Sequence, residues 1–468
     1  MQILYALPFL LLLLLDRDVR NTIKNIFQKI EHLIWGNIKA EELSKFLYLA
    51  VIAIIAMTCT WGLKTLKDSL FIDFVGPTFL THAKIVSIAI LIPLVFFYNY
   101  IAARISLEKI FTFICYFYGS LFLGIGTLCF LANAQVPLPI PTSLIGWLAY
   151  VGTESFSSLL VSHYFTYLAS INTTESAKRG YGLIIVATQI GNLLGPTCVI
   201  FAIKAVGFSN LLYFFGSLIF VIPSLIYLFI RKIPASLRTS DETKLITESS
   251  SVHAQTADKS FFTGIKLLYH NPYLLGLATI TSMHEIISQM LDLQFKIQIS
   301  QHFHGADFAA YMGSYAQMNA ILGIIFGFFG TSFLLRKLEI KNCLILYPLL
   351  LASIVSLVWY FPATQFFFAG MIAIKTLGYT LNRPINEIMF IPTTKSVKTQ
   401  VKSIVDSLGK RGGKALGASI LSSLSNLQLP LLTATTYTSL ALLTVWVGVA
   451  TATGKKYESL VKNKDIIG

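Results

Sequence analysis

Charge is what this 468-residue sequence has least of: Lys, Arg, Asp and Glu together make up 12% of it. Soluble domains carry roughly 25%. With 55% hydrophobic residues set in many long apolar runs, that scarcity excludes an ordinary soluble fold and predicts a polytopic membrane protein. Cysteine patterning is missing too. The five cysteines, Cys59, Cys115, Cys129, Cys198 and Cys343, stand singly in apolar runs. Without a Cys-x-x-Cys or a Cys/His cluster they point to packing rather than to metal or redox work, and no cofactor is expected. An Arg- and Ser-rich transit peptide is absent. The opening "MQILYALPFLLLLLL" has neither a basic start nor a small-residue cleavage site. Its apolar residues would reach about 21 Å as a helix, short of a hydrocarbon core of about 30 Å. It is expected to be an interfacial or partly inserted anchor, or else the product of a misplaced start. Acidic residues are outnumbered, 22 against 36 basic, for a net charge of +14. That excess would suit nucleic acid, but most Lys and Arg lie in short loops between apolar runs, as orientation in a bilayer demands. The lipid bilayer is the expected partner, and nucleic acid is not.

A chain that crosses lipid must satisfy its own backbone hydrogen bonds, and helices do so without partners. The hydrophobic pattern predicts an all-α protein of about twelve transmembrane helices, near 46–64, 83–101, 110–132, 143–170, 181–205, 210–230, 272–298, 309–334, 342–361, 365–390, 402–426 and 430–452. The longest polar stretch, "RKIPASLRTSDETKLITESSSVHAQTADKS", separates the sixth from the seventh. The expected organisation is an N-terminal apolar or amphipathic segment (1–43), a six-helix half (44–230), a cytoplasmic linker (231–262), a second six-helix half (263–452) and a cytoplasmic tail (453–468). Basic residues fall after every second span: Arg104 and Lys109, Lys178 and Arg179, Arg231 and Lys232, Arg336 and Lys337, Lys395 and Lys398, Lys455 and Lys456. The opposite connection "NAQVPLPIPTS" carries none. Both termini are therefore expected in the cytoplasm. Two six-helix halves joined by a loop is the plan of major-facilitator-like transporters, which bind substrate near the midplane between the halves.

Charges inside the apolar runs are costly, about 2.5–3.5 kcal/mol each on insertion scales, and mark pathways or partners. Five places carry them. Glu154 lies in the middle of a span, with Ser158 and Ser162 on its helical face and His163 on the other. His163 is read as a satisfied core or interface histidine. In "HEIISQMLDLQFKIQIS", Glu285, Gln289, Asp292 and Lys296 form one helical stripe, with Asp292 and Lys296 an acid-before-base i,i+4 pair. In "WGLKTLKDSLF", Lys64 and Lys67 share a face, and Asp68 follows. They are either snorkelling at the interface or facing a cavity, and their place on the non-cytoplasmic side breaks the positive-inside pattern. In "GYTLNRPINEIMFIP", Arg383 and Glu387 stand i,i+4, as an internal ion pair at a proline bend or as functional groups. In "DSLGKRGGKALG", Lys410, Arg411 and Lys414 sit among glycines. The stretch fails the P-loop pattern, since Leu408 and Ala415 stand where Gly and Ser or Thr are required. Gly412 and Gly413 are expected to allow a close backbone approach, and the cations suit phosphate. Together the charges suggest a transporter, of a phosphorylated solute if the lysines meet their match.

The same stretches resemble the nucleotide transporter (ATP/ADP translocase) family of plastids and obligate intracellular bacteria. "LKTLKD" is similar to the family's Leu-Arg-Asp-Thr-Lys-Asp, which puts Lys67 on its lysine and Lys64 where the family has arginine. "HAKIVSIAILIP" aligns Lys84 with a family lysine. "YVGTESFSSLLVSHYFTYLASINTTESAKRG" places Glu154 on a functional glutamate, and "LDLQFKIQ" puts Asp292 and Lys296 on a second glutamate and a lysine. "NEIMFIP" resembles Lys-Glu-Met-Ala-Tyr-Ile-Pro, with Asn386 in place of the lysine, and "LGKRGGKAL" resembles Leu-Gly-Lys-Ser-Gly-Gly-Ala-Leu, which places Lys410. The likeness runs in order through residues 44–426. It implies the twelve-helix fold and ATP/ADP exchange, or proton-coupled import of another nucleotide, NAD or an anionic metabolite. Substrate-binding or gating roles are then expected for Lys64, Lys67, Lys84, Glu154, Asn192, Asp292, Lys296, Arg383, Glu387 and Lys410. A monomer in a bacterial inner membrane is expected. A polytopic enzyme is the rival from another class, but the histidines show no ligand spacing beyond "HFH" at 302–304, so a transporter and not an enzyme is expected.

Overall fold

A computed structural model describes residues 40–234, 237, 266–394, 397, 401–463 and 467, apart from positions 103, 139, 173, 338, 403 and 427–428. The expected N-terminal anchor and most of the expected linker lie outside the described residues. The rest is helix. The first half comprises α1 (Ala40–Phe74), α2 (Leu80–Ala102), α3 (Leu107–Asn133), α4 (Thr142–Ser170) and the stretch Thr174–Lys232. That stretch breaks at Gly207, whose φ of 75° is open to glycine, into α5 (174–206) and α6 (208–232). The second half comprises α7 (Pro272–Ser300), α8 (Gly305–Lys337), α9 (Ile340–Tyr360), α10, α11 and α12 (Leu431–Asn463). Helix α10 runs over Thr364–Leu377, loosens into a π-helical turn at Gly378–Asn382 and resumes over Arg383–Met389. Pro384 explains the turn, because it offers no N–H to the carbonyl one turn back and crowds it. Helix α11 opens the same way, with a π-helical turn at Val405–Gly409 before Lys410–Leu424.

Among the described residues, the twelve long helices fall on the twelve predicted spans. Seven stretches are long and apolar enough to cross a membrane by length and composition, one of them, Gly180–Lys232, covering both α5 and α6. Helix α7 carries charges and amides along its length, and the regular parts of α10 and α11 are only 14 and 15 residues long. The first span departs most from expectation. It continues ten residues past its predicted end at 64 and takes Lys64, Lys67 and Asp68 into the helix. Lys67 and Asp68 find partners across the bundle, so they do not end the helix as lone charges would.

Each half buries its own apolar core. Phe46, Leu49, Phe111, Phe156, Tyr164 and Phe215 are fully buried in the first. Leu274, Phe295, Tyr347, Met389 and Trp446 lie at the centre of the second. Phe71, Ile72, Leu80, Ala83 and Tyr150 belong to the first half by sequence but pack into the core of the second. The halves thus grip each other where α1 turns into α2 and α7 into α8. Polar contacts lie at the same end. Ser69 Oγ donates to the Gly305 carbonyl at 2.8 Å, Gly305 N–H donates to Asp73 Oδ1 at 3.2 Å, and Lys204 pairs with Asp307 at 2.7 Å. Two to three turns further in, Gln317 of α8 donates to Thr197 of α5 at 2.8 Å. At the opposite end of the first half, Lys45 donates to the Ile171 and Leu237 carbonyls at 2.7 Å each, closing the C-terminus of α4.

Candidate functional site

An unbroken chain of ion pairs crosses between the halves. It begins on α2, where Lys84 Nζ lies 3.0 Å from Glu154 Oε2 of α4. Glu154 Oε1 lies 3.2 Å from Lys67 of α1, and Lys67 lies 2.7 Å from its neighbour Asp68. The other oxygen of Asp68 reaches across to Lys296 of α7 at 3.0 Å. Lys296 also holds Asp292, one turn earlier on its helix, at 2.8 Å, and Asp292 ends the chain at Lys375 of α10, 3.6 Å away. Lys67 also sits over the ring of Tyr150, 3.9 Å from its centroid, a cation–π contact that favours the charged ammonium.

Position follows from the helices. Lys67 faces inward because Leu63, Leu66 and Leu70 take the core side of α1. Glu154 faces inward with Tyr150 and Ser157, buried neighbours one turn to either side on the same face of α4. Each charge in the middle of the chain touches two of opposite sign, which offsets part of the cost of burying it. Removing one partner of such a pair costs about 3–5 kcal/mol, since the other is left buried and uncompensated. The pair that joins the halves, Asp68 and Lys296, is among the more deeply buried, with side chains 7% and 13% exposed.

Cations exceed carboxylates here. Lys64 lies 5.1 Å from the centre of the Trp61 ring and in the field of Glu154. Lys414 of α11 stands 3.7 Å from Glu285 of α7. The lysines Lys64, Lys67, Lys84, Lys296, Lys375 and Lys414 thus gather against the carboxylates Asp68, Glu154, Glu285 and Asp292. Lys375 and Lys414 are the accessible members, 35% and 44% exposed. A polyanion that entered would meet them first.

Of the residues singled out in the sequence, Lys64, Lys67, Lys84, Glu154, Asp292 and Lys296 come together here. Four do not. Lys410 pairs with Asp406 in its own helix at 2.7 Å, with both side chains well exposed. Asn192 donates to Gln189 at 2.7 Å on α5, and its Oδ1 is buried without a partner. Arg383 and Glu387 do not form the i,i+4 pair that their spacing offered. Arg383 lies over the Tyr379 ring at 4.5 Å, and Glu387 pairs with Lys402 at 2.5 Å. A ring one turn back and a lysine from the chain before α11 outcompete the helical neighbour. Gly413 does allow close approach, since a Cβ there would stand 2.9 Å from the Ser282 carbonyl, but Gly412 faces open space. His163 is buried between the Tyr98 hydroxyl at 2.7 Å and the Leu107 carbonyl at 2.9 Å. That is a satisfied core histidine.

Asp68, noted in the sequence beside Lys67, is not among the expected site residues, and Lys375 is not singled out at all. Asp68 follows Lys67 directly, and adjacent residues on a helix do not face each other; the flexible lysine stem bends to make the bond. Lys375 was legible by the rule that exposed Glu154, a single charge in an apolar run, but no charge at helical spacing drew attention to it. No group of three or more His, Cys, Asp or Glu that could hold a metal ion occurs among the described residues.

Comparison with known proteins follows the same lines. A family model described as "TLC ATP/ADP transporter" matches residues 144–373. The chain is similar to "ADP,ATP carrier protein 3" of Rickettsia felis, 22% identical over 463 residues, which takes in 85% of this chain and 90% of that protein. The same protein of Rickettsia prowazekii is 22% identical over 469 residues with the same coverage. Both findings bear out the resemblance to the nucleotide transporter family read from the sequence. Among solved structures, a bacterial homologue of the iron transporter ferroportin in an inward-facing state superposes with a TM-score of 0.62. It is 12% identical and covers 89% of this chain and 99% of its own. The nucleoside transporter NupG gives a TM-score of 0.56 at 14% identity, with the same coverage. At such identities the likeness is one of fold, the transporter fold of two six-helix halves.

Proposed function

We infer that this chain is a nucleotide transporter of the family it resembles, a multi-pass membrane protein that exchanges ATP for ADP by alternating access. The observation that carries the reading is the ion-pair chain, Lys84–Glu154–Lys67–Asp68–Lys296–Asp292–Lys375, which runs from one half to the other with lysines to spare. Lysine ammonium groups recognise phosphates as point charges. The carboxylates Glu154, Asp68 and Asp292 hold those ammonium groups while no substrate is present. Arriving phosphates offer the lysines a replacement partner, and the carboxylates let go. Because Asp68 and Lys296 belong to opposite halves, that exchange of partners is also what loosens one half from the other.

The energetics favour exchange over one-way flow. Separating the halves with no substrate would strand buried charges, at a cost of several kcal/mol. A nucleotide that satisfies the lysines in the moving state lowers that cost, and a ligand shifts a conformational equilibrium by its differential affinity for the two states. The carrier therefore moves readily when loaded in either direction and slowly when empty.

The contacts at the α1–α2 and α7–α8 end close that end of the molecule. With both termini in the cytoplasm of a bacterium, as the basic loops favour, this is the face away from the cytoplasm, and the site opens inward. The protein then works in the inner membrane, taking nucleotide from outside in exchange for nucleotide from within.

The test is uptake of radiolabelled ATP by intact bacterial cells that express the chain, followed by a chase with excess unlabelled ADP. Uptake that reverses on the chase supports exchange. Uptake that instead collapses with an uncoupler and ignores internal nucleotide means proton-coupled import, with Glu154 or Asp292 as the proton carrier. No uptake, in cells shown to hold the protein in their membrane, removes ATP as substrate.

A further inference from the structure

Three polar groups of the second half stand next to the ion-pair chain and take no part in it. Tyr379 lies on the π-helical turn of α10, a local widening often found at functional sites. Its side chain is 41% exposed. Tyr315 of α8 is anchored through its ring on Phe295 at 5.1 Å and Phe368 at 6.0 Å. Its hydroxyl is buried with no hydrogen-bond partner. Asn319, one turn further along α8, donates from Nδ2 to the Tyr315 carbonyl at 2.9 Å and leaves Oδ1 buried and unpartnered. Helix α8 packs directly against the π-helical turn. Through Phe295, Tyr315 lies against the stretch of α7 that carries Asp292 and Lys296.

Buried polar groups without partners are few in a native protein, and each calls for an account. The orientation of the Asn319 amide is settled by chemistry: the Tyr315 carbonyl can only accept, so the nitrogen must face it and the oxygen is left to accept from another donor. What is presented is an acceptor that cannot become a donor, a hydroxyl that can be either, and an exposed aromatic ring, all beside the lysines expected to hold phosphates.

We propose that Tyr379, Tyr315 and Asn319 read the base of the transported nucleotide, and that they select a base carrying an amino group, as adenine does. The proposal rests on the nucleotide reading above. The exocyclic amino group of adenine donates, and Asn319 Oδ1 accepts from it. The Tyr315 hydroxyl donates to the ring nitrogen alongside. Arg383 lies over one face of the Tyr379 ring at 4.5 Å, and the other face is proposed as the stacking surface, which every base can use and which therefore adds affinity without choice. Hypoxanthine carries a carbonyl where adenine carries the amino group. Its oxygen would face Asn319 Oδ1, two acceptors with no proton between them. A site that leaves a buried polar group unpaired rejects the wrong analogue far more strongly than a site that merely lacks a contact.

The experiment is competition against radiolabelled ATP uptake into ADP-loaded proteoliposomes, with unlabelled ATP or inosine triphosphate as competitor. The wild-type protein should take ATP at least about tenfold more tightly than inosine triphosphate. Asn319→Ala should bring the two within about twofold, chiefly by weakening ATP, and Tyr379→Leu should weaken both alike. If Asn319→Ala does not fold, Asn319→Ser replaces it: a hydroxyl can accept from an amino group or donate to a carbonyl, so it too should erase the preference. Equal affinity of the wild-type protein for the two nucleotides, or an unchanged preference in the Asn319 variants, would overturn the base site and leave nucleotide exchange standing. Absence of any nucleotide uptake would overturn the nucleotide reading and the base site with it.

Discussion

Lys296 holds two carboxylates at once, Asp68 of the other half at 3.0 Å and Asp292 of its own helix at 2.8 Å. It is both part of the expected binding surface and the strut between the two moving bodies. Lys296→Gln should leave Asp68 and Asp292 short of a counter-ion. We expect a loss of about 3–5 kcal/mol in stability, read as a lower unfolding temperature in detergent, together with loss of exchange. Adding Asp68→Asn should restore part of that stability, because the two residues share one interaction and their effects do not add. Strictly additive losses would mean that the contact carries no weight.

Glu154 divides its two oxygens between Lys67 and Lys84. Glu154→Gln keeps the shape and removes the charge that returns the lysines to their resting places. The variant should reach the membrane in normal amounts, by immunoblot, yet lose most ATP/ADP exchange. Normal exchange would remove Glu154 from the cycle.

Lys375 is the accessible end of the ion-pair chain, 3.6 Å from Asp292. Lys375→Met should raise the KM for ATP about tenfold, roughly the worth of one charge-assisted hydrogen bond, with a smaller effect on the maximal rate. Lys402→Met, which breaks a pair with Glu387 and a contact over the Phe390 ring, both outside the chain, should leave KM within about twofold. Uptake kinetics over a range of ATP concentrations would separate the two.

Much of this arrangement was legible before the coordinates. The fold showed in the spacing of apolar runs, Glu154, Lys67, Asp292 and Lys296 showed because a charge in lipid must have a reason, and Lys84 showed only through the family resemblance. The Asp292–Lys296 bond could be read from i,i+4 spacing alone. Partners across the halves could not, since nothing local ties Asp68 to a lysine 228 positions later. Spacing misled at Arg383 and Glu387, where Tyr379 and Lys402 offered better contacts. Asn319 and Tyr315 were invisible for a different reason: an amide and a phenol in an apolar helix are common, and only the missing partners of their buried atoms set them apart.

The first half has its own fixed point at Gly195, where a Cβ would lie 2.5 Å from the Thr58 carbonyl and 2.6 Å from the Gly62 nitrogen. Both neighbours are backbone of α1 and cannot yield without separating α1 from α5. Gly195→Val should prevent accumulation of folded protein, whereas Gly412→Ala, with nothing within 4 Å of the added atom, should accumulate and fold normally. Size-exclusion profiles of the two variants make the comparison.

Alternating access through the α1–α2 and α7–α8 end is the central claim, and Lys204 and Asp307 test it most directly. They form an exposed ion pair across the halves at that end, 2.7 Å apart. Lys204→Cys with Asp307→Cys, in a Cys198→Ser background because Cys198 is only half-buried, places two reachable thiols there, while Cys59, Cys115, Cys129 and Cys343 are buried. A short, reducible bifunctional thiol reagent should cross-link the halves. The account predicts that cross-linking arrests ATP/ADP exchange and that reduction restores it, with neither single-cysteine variant affected. Undiminished exchange by the cross-linked protein would contradict it.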